Sequence, residues 1–211
     1  MTTQQKAVDA VIFDFGGVLA EEGFFQGLAH IAEVAGKDRE HVAETAVDIV
    51  RKDGYGEGRI DEAEFWRRFR ERTGVSGSDA DLREELLSRF VPRGFMFAAV
   101  DNLRKAGYKV AILSDQTNWL EELEERHSFC SRFDVVHNSW KTGVTKKDTA
   151  AFTGMLDALG VAPERAAFID DHGGHIRRAR ALGLHAIHYT DRESFERELA
   201  NLCPEAGTHK D

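Results

Sequence analysis

The chain has 211 residues, enough to bury one full domain with a smaller unit inserted into it, and short of what two large domains need. Its 28 Lys and Arg against 37 Asp and Glu give a formal charge of -9, which argues against nucleic acid or an anionic membrane surface as the main partner. Met1 to Asp9 carries neither the basic start nor the cleavage site of a secretory signal, no apolar run reaches membrane-spanning length, and Cys130 and Cys203 lie far apart without metal-finger spacing; a cytoplasmic location with reduced thiols is the expectation.

The first element in chain order is the unbroken apolar run from Ala10 to Phe13, closed by Asp14 and followed at once by Phe15-Gly16-Gly17. A β-rich run without polar alternation reads as a strand buried on both faces, here delivering a carboxylate at its C-terminal end. From Glu21 to Val91 only helical signals follow. Residues 24–35, 39–52, 61–72 and 79–90 carry apolar side chains at three- and four-residue intervals, punctuated by Gly36, Gly54, Gly74 and Pro92. Beyond them, helical patterns over 95–106, 118–126, 148–159 and 175–182 alternate with strand signals at 109–114, 133–136, 166–171 and 185–188.

This order predicts an α/β fold: a doubly wound parallel five-stranded Rossmann-like sheet with an inserted all-helical cap. Residues 1–20 and 93–211 would form the core and residues 21–92 the cap, with the tail 205–211 loose. Ligands of such sheets bind beyond the carboxyl ends of the strands, where Asp14, Ser114, Asp170 and Asp171 all fall.

Four stretches in this order carry a resemblance. Phe13-Asp14-Phe15-Gly16-Gly17-Val18, Leu113-Ser114-Asp115, Ser139 through Gly143 to Lys146, and Phe168-Ile169-Asp170-Asp171 resemble the four motifs of the haloacid dehalogenase (HAD) superfamily. The run from Tyr55 to Ile60 before Glu64-Phe65-Trp66 is similar to the start of a cap helix in its glucose-1-phosphatase-like branch, related to the phosphatase domain of soluble epoxide hydrolases. The resemblance implies a Mg²⁺-dependent phosphatase for a small phosphorylated metabolite. Asp14 is then the nucleophile that becomes an aspartyl phosphate, and Lys146 the second catalytic residue. Ser114, Asp115 (through its backbone N–H) and Lys146 are implied to bind phosphate, while Asp14, the Gly16 carbonyl, Asp170 and Asp171 hold Mg²⁺, a hard ion suited to carboxylate oxygens. Lys147 stands where relatives often have proline, and Lys141 or Lys147 are alternatives to Lys146.

Each residue also has an ordinary reading. Asp14 alone is a turn or cap residue, Ser114 a helix cap, Lys146 a solvated lysine, and Asp170-Asp171 a favourable helix start. His172 and His175 read as loop or helix-start residues; His185 and His188, three apart on a strand, point to opposite faces. Phe65, Trp66 and Phe69 form a cap-core stripe, whereas Phe24, Phe25 and Trp119 are either pocket-lining or core.

One departure matters. The commonest phosphatase pattern has an aspartate two residues after the nucleophile, acting as general acid and base, and this chain has Gly16 there. Glu21 and Glu22 are the candidate substitute acids. The competing readings are a metal-free 2-haloacid dehalogenase, compatible with Gly16, and a catalytically degenerate binding protein on the same fold.

Overall fold

The computed structural model describes residues 6–206. Its five strands, β1 (Ala10–Phe13), β2 (Lys109–Ser114), β3 (Val135–Asn138), β4 (Ala166–Asp170) and β5 (His185–His188), form one parallel sheet in the order β3-β2-β1-β4-β5. The apolar runs become central strands because both faces are covered. Val11, Phe13, Val110, Ile112, Ala167 and Ile169 enter one apolar cluster, and the alternate residues Ala10, Ile12, Ala111, Leu113 and Phe168 enter the other. The first face is packed by α5 (Gly94–Lys105) and α10 (Arg192–Leu202), the second by α8 (Thr149–Leu159) and α9 (Gly173–Ala181). The predicted doubly wound sheet is therefore observed.

Between β1 and α5 lie α1 (Gly23–Val34), α2 (Arg39–Asp48), α3 (Glu62–Thr73) and α4 (Asp79–Leu87). Asp38, Asp61 and Ser78 start α2, α3 and α4 by accepting the N–H groups of His41, Glu64 and Asp81. Helix α1 lies close against α4, since a Cβ on Gly27 would come within 2.6 Å of Leu86. Phe65 and Trp66 of α3 pack with Tyr55 on Trp119, at the start of α6 (Trp119–His127), with ring centroids 4.7 to 5.8 Å apart. The chain leaves the sheet layer and returns to it at one place: Ala20 and Pro92 form an antiparallel bridge, and Arg93 donates its N–H to the Leu19 carbonyl at 2.8 Å.

The structure corrects several boundaries. Helix α2 gives way at Ile49–Asp53 to a π-helical turn, α9 begins at Gly173, and β3 lies two residues later than expected. Helix α10 and the single turn α7 (Ser139–Thr142) were absent from the sequence reading. Pro204–Ala206 forms a 3₁₀ turn instead of loose chain, and residues 207–211 of the expected tail lie outside the described residues. Among the described residues, no helix is long and apolar enough to cross a membrane.

Candidate active site

Strands β1, β2 and β4 present their carboxyl ends side by side, and the chain reverses its direction of travel across the sheet there. Asp14 directly follows β1 and donates its N–H to the Ile169 carbonyl of β4 at 2.9 Å, which fixes its height above the sheet. One carboxylate oxygen of Asp14 accepts the Phe15 N–H at 2.7 Å and the Ser114 hydroxyl at 2.9 Å. The other lies 2.8 Å from Lys146 Nζ, which is also 2.6 Å from Asp170.

Lys146 is 1% exposed and Asp170 0%, so the charges at this centre are removed from water. A buried charge persists only when paired, and the arrangement meets that demand. Burial opposes the lysine's charge, but Asp14, Asp170 and Asp115 outweigh it and hold the ammonium above its ordinary range. Burial likewise works against Asp170, and Lys146 with His175 brings its carboxyl well below the usual value. Asp14 goes the other way: burial, against the pull of Lys146 and with the repulsion of Asp170 and Asp171, pushes it up to about 7.

The loop that brings Lys146 to this place is held at both backbone groups. Its N–H donates to the Asp115 carboxylate at 2.7 Å, and its carbonyl accepts from Arg178 of α9 at 2.7 Å. His175 Nδ1 lies 3.1 to 3.2 Å from both Asp170 oxygens, and its Nε2 4.0 Å from Asp115. Asp170 also accepts the His172 N–H at 2.7 Å, so all of its acceptor directions toward the protein are engaged. Asp171 faces solvent; partial desolvation first, and the charge of Asp170 second, raise its carboxyl. Carboxylate oxygens of Asp14, Asp170 and Asp171 lie within 4.8 Å of one another. That hard, all-oxygen donor set fits a divalent cation such as Mg²⁺. Gly17, at a φ of +80°, is required for this spacing, because a Cβ there would collide with the Asp171 carboxylate.

The remaining sequence candidates separate clearly. Gly16 lines the cavity beside Phe90, whose ring would stand 3.3 Å from an added Cβ. Glu21 is bound by Arg93 at 2.8 and 3.0 Å, which holds its carboxyl low, and it is not among the residues lining the cavity. Glu22 does line the cavity. It caps α1 by accepting the Phe25 N–H at 2.9 Å, and burial followed by the Asp171 charge raises its carboxyl. Lys141 is exposed and paired with Glu121, so it does not substitute for Lys146; Lys147 stands exposed at the cavity rim. Trp119 is wholly buried core, whereas Phe24 and Phe25 line the cavity. His188 reaches the Asp171 carbonyl at 2.8 Å, while His185 is exposed. The cavity itself, about 280 Å³, has Asp14, Ser114, Lys146 and Asp171 at its floor.

A family model for haloacid dehalogenase-like hydrolases matches residues 8–183. Bifunctional epoxide hydrolase 2 of Sus scrofa is 33% identical over 114 residues, 51% of this chain and 20% of that protein, so the match spans about a fifth of this relative's length. Phosphoserine phosphatase of Thermus thermophilus is 27% identical over 204 residues, covering 84% of this chain and 80% of that one. A HAD family enzyme of Bacteroides thetaiotaomicron superposes with a TM-score of 0.72 at 22% identity, covering 89% of this chain and 95% of that one. Its complex with magnesium and inorganic phosphate gives 0.64 at 21%, over 88% and 94%. L-2-haloacid dehalogenase of Xanthobacter autotrophicus gives 0.62 at 22%, over 94% and 86%. At these identities the structural likeness is one of fold.

Proposed function

The chain belongs to the haloacid dehalogenase-like hydrolases, and from that premise we propose that it is a Mg²⁺-dependent phosphatase of a small phosphorylated organic molecule, acting through Asp14. The observation that carries this reading is the buried Asp14–Lys146–Asp170 arrangement with the open Asp171 carboxylate beside it. Metal-free displacement of halide gives little reason to concentrate two further carboxylates, Asp170 and Asp171, around an attacking one. The helical unit between β1 and α5 acts as the cap over the site.

Asp14 attacks phosphorus in line with the leaving oxygen, forming an acyl phosphate as the ester P–O bond breaks. Lys146 and the Ser114 hydroxyl neutralise the non-bridging oxygens and hold the nucleophile in its rotamer. Glu22 gives its proton to the departing oxygen, and its carboxylate then takes one from the water that attacks the phosphoaspartate, returning Asp14 and inorganic phosphate. Asp14, the Gly16 carbonyl and Asp171 would hold the cation, while Asp170, engaged by Lys146, His172 and His175, positions the lysine. A bound Mg²⁺ would screen these carboxylates from the incoming phosphate and keep Asp14 ionised.

The test is hydrolysis of p-nitrophenyl phosphate with Mg²⁺ or with excess chelator, by the wild type and by Asp14→Asn, beside halide release from 2-chloropropionate. Activity present with Mg²⁺, abolished by chelator and absent in the variant is expected. Undiminished turnover in chelator, or in Asp14→Asn, refutes the mechanism; metal-free halide release establishes the dehalogenase instead.

A further inference from the structure

The cavity lining is of mixed character. Phe24, Phe25, Val47, Val50 and Phe90, all from the helical segment between β1 and α5, are apolar, Gln116, Thr117, Ser139 and Thr145 on the core side are polar, and the same helical segment adds the cation Arg51. Val47, Val50 and Arg51 are spaced i, i+3, i+4, so one face of α2 and its π-helical turn points all three at the cavity. Such π turns within α-helices are frequent at functional sites.

Arg51 differs from the other cations around it. Lys52 is paired with Asp48 at 2.8 Å, Arg59 with Glu57 at 3.0 Å, and Arg68 and Arg72 share Asp53 at 2.8 and 2.6 Å. Glu57, the acidic group of this segment that lines the cavity, is thus already neutralised by Arg59. Arg51 has no ion pair or hydrogen bond among the described residues. On the core side of the rim Lys147 is likewise unpaired among the described residues. A chain of net charge -9 thus has two unpaired cations, Arg51 and Lys147, among the residues lining this cavity, and Arg51 is the one contributed by the helical segment rather than by the core.

We infer that the substrate is a phosphate ester whose apolar, ring-sized body carries a second anionic group, a carboxylate or another phosphoryl group, at the end remote from the scissile phosphate, and that Arg51 binds that group. This rests on the phosphatase reading and names the substrate class for it. The phosphate meets Lys146 and Ser114, the body lies along Phe24 and Phe25, and the far anion meets a guanidinium, whose planar fork suits either oxyanion.

Four aryl phosphates with leaving groups of similar acidity test it: phenyl phosphate bearing a para ethyl, carboxymethyl, phosphonomethyl or aminomethyl group, assayed with Mg²⁺ for the wild type, Arg51→Ala and Arg51→Glu. The wild type should favour the two anionic esters over the ethyl ester by about tenfold in kcat/KM, the gain lying in KM. The ranking of carboxymethyl against phosphonomethyl identifies which oxyanion the mouth prefers. In Arg51→Ala the ratio of anionic to ethyl ester should fall to near one, and in Arg51→Glu the aminomethyl ester should become the preferred one. An unchanged ratio in both variants, or a proportional loss on all four esters, overturns the assignment of Arg51 to a remote anion while leaving the phosphatase reading intact. Absence of hydrolysis of every ester overturns both.

Discussion

Replacing Lys146 with methionine keeps the length of the side chain and removes its charge from between two carboxylates that stand 2.8 and 2.6 Å from it. With the lysine 1% exposed, water cannot take over its part. Breaking a buried pair by removing one partner costs about 3–5 kcal/mol, so Lys146→Met should lose that much folding stability at pH 8 in excess chelator. The cost is pH-dependent, and its sign follows from Asp14. That carboxyl stands at about 7 even beside the lysine; without it the value rises further. A carboxyl whose folded pKa exceeds its unfolded one binds more protons in the folded state, so the variant regains stability as pH falls from its folded pKa toward the unfolded value of about 4. Urea unfolding at pH 8 and pH 6 measures both effects. Adding Asp170→Asn to Lys146→Met should restore much of the stability and none of the activity. A Lys146→Met protein within about 1 kcal/mol of wild type at pH 8 would refute the claim that these carboxylates need the ammonium to remain buried.

Gly17→Ala should destabilise the fold by about 1–2 kcal/mol through its left-handed backbone, and should raise the Mg²⁺ concentration for half-maximal activity because the new methyl displaces Asp171; an unchanged Mg²⁺ titration would contradict the assignment of that carboxylate. Glu22→Gln keeps an oxygen to cap α1 but can neither deliver nor take a proton, so kcat/KM on poor leaving groups should drop on the order of 10²- to 10⁴-fold while kcat/KM on activated aryl esters, which reads only ester cleavage, changes little and their kcat falls with the slowed hydrolysis of the phosphoaspartate. A series of esters graded in leaving-group pKa reads this as a steepened slope, and an unaltered slope excludes Glu22 as the acid.

The sheet was readable because its central strands are unbroken apolar runs, and the helices between β1 and α5 because each keeps an apolar stripe. Helix α10 escaped notice since its buried residues, Phe195 and Leu199, are sparse among charged ones. Strand β3 was placed two residues early because the apolar signal ends at Val136, whereas the edge strand runs on through the polar His137 and Asn138. At the site, Asp14, Ser114 and Asp171 on the floor end or directly follow strands, a position that local sequence discloses, whereas Lys146 comes from the loop between α7 and α8. The supporting contacts were not legible, because they join distant segments: Asp115 to the Lys146 N–H, Arg178 to its carbonyl, His175 to Asp170. Trp119 could line a pocket or fill a core on sequence grounds, and only its packing against Phe65 and Trp66 decides for the core.

The bridge between Ala20 and Pro92 amounts to a neck through which the whole run of α1 to α4 is threaded. Two chain points held as bridged neighbours lie roughly 5 Å apart, a gap that a tight turn can close. The sheet therefore sees the helical insertion as a loop whose ends already meet, and loop-closure entropy grows only slowly with what is placed between them. Insertions of different size can be exchanged at this point with little change in the conditions under which Asp14, Lys146 and Asp170 assemble. The residues proposed to meet the substrate beyond its phosphate, Phe24, Phe25 and Arg51, lie on the far side of the neck, while the residues proposed to break the phosphate bond, apart from Glu22 just beyond it, lie on the near side. Selectivity can thus be rewritten by a graft that begins after Glu22, with the reacting centre carried over.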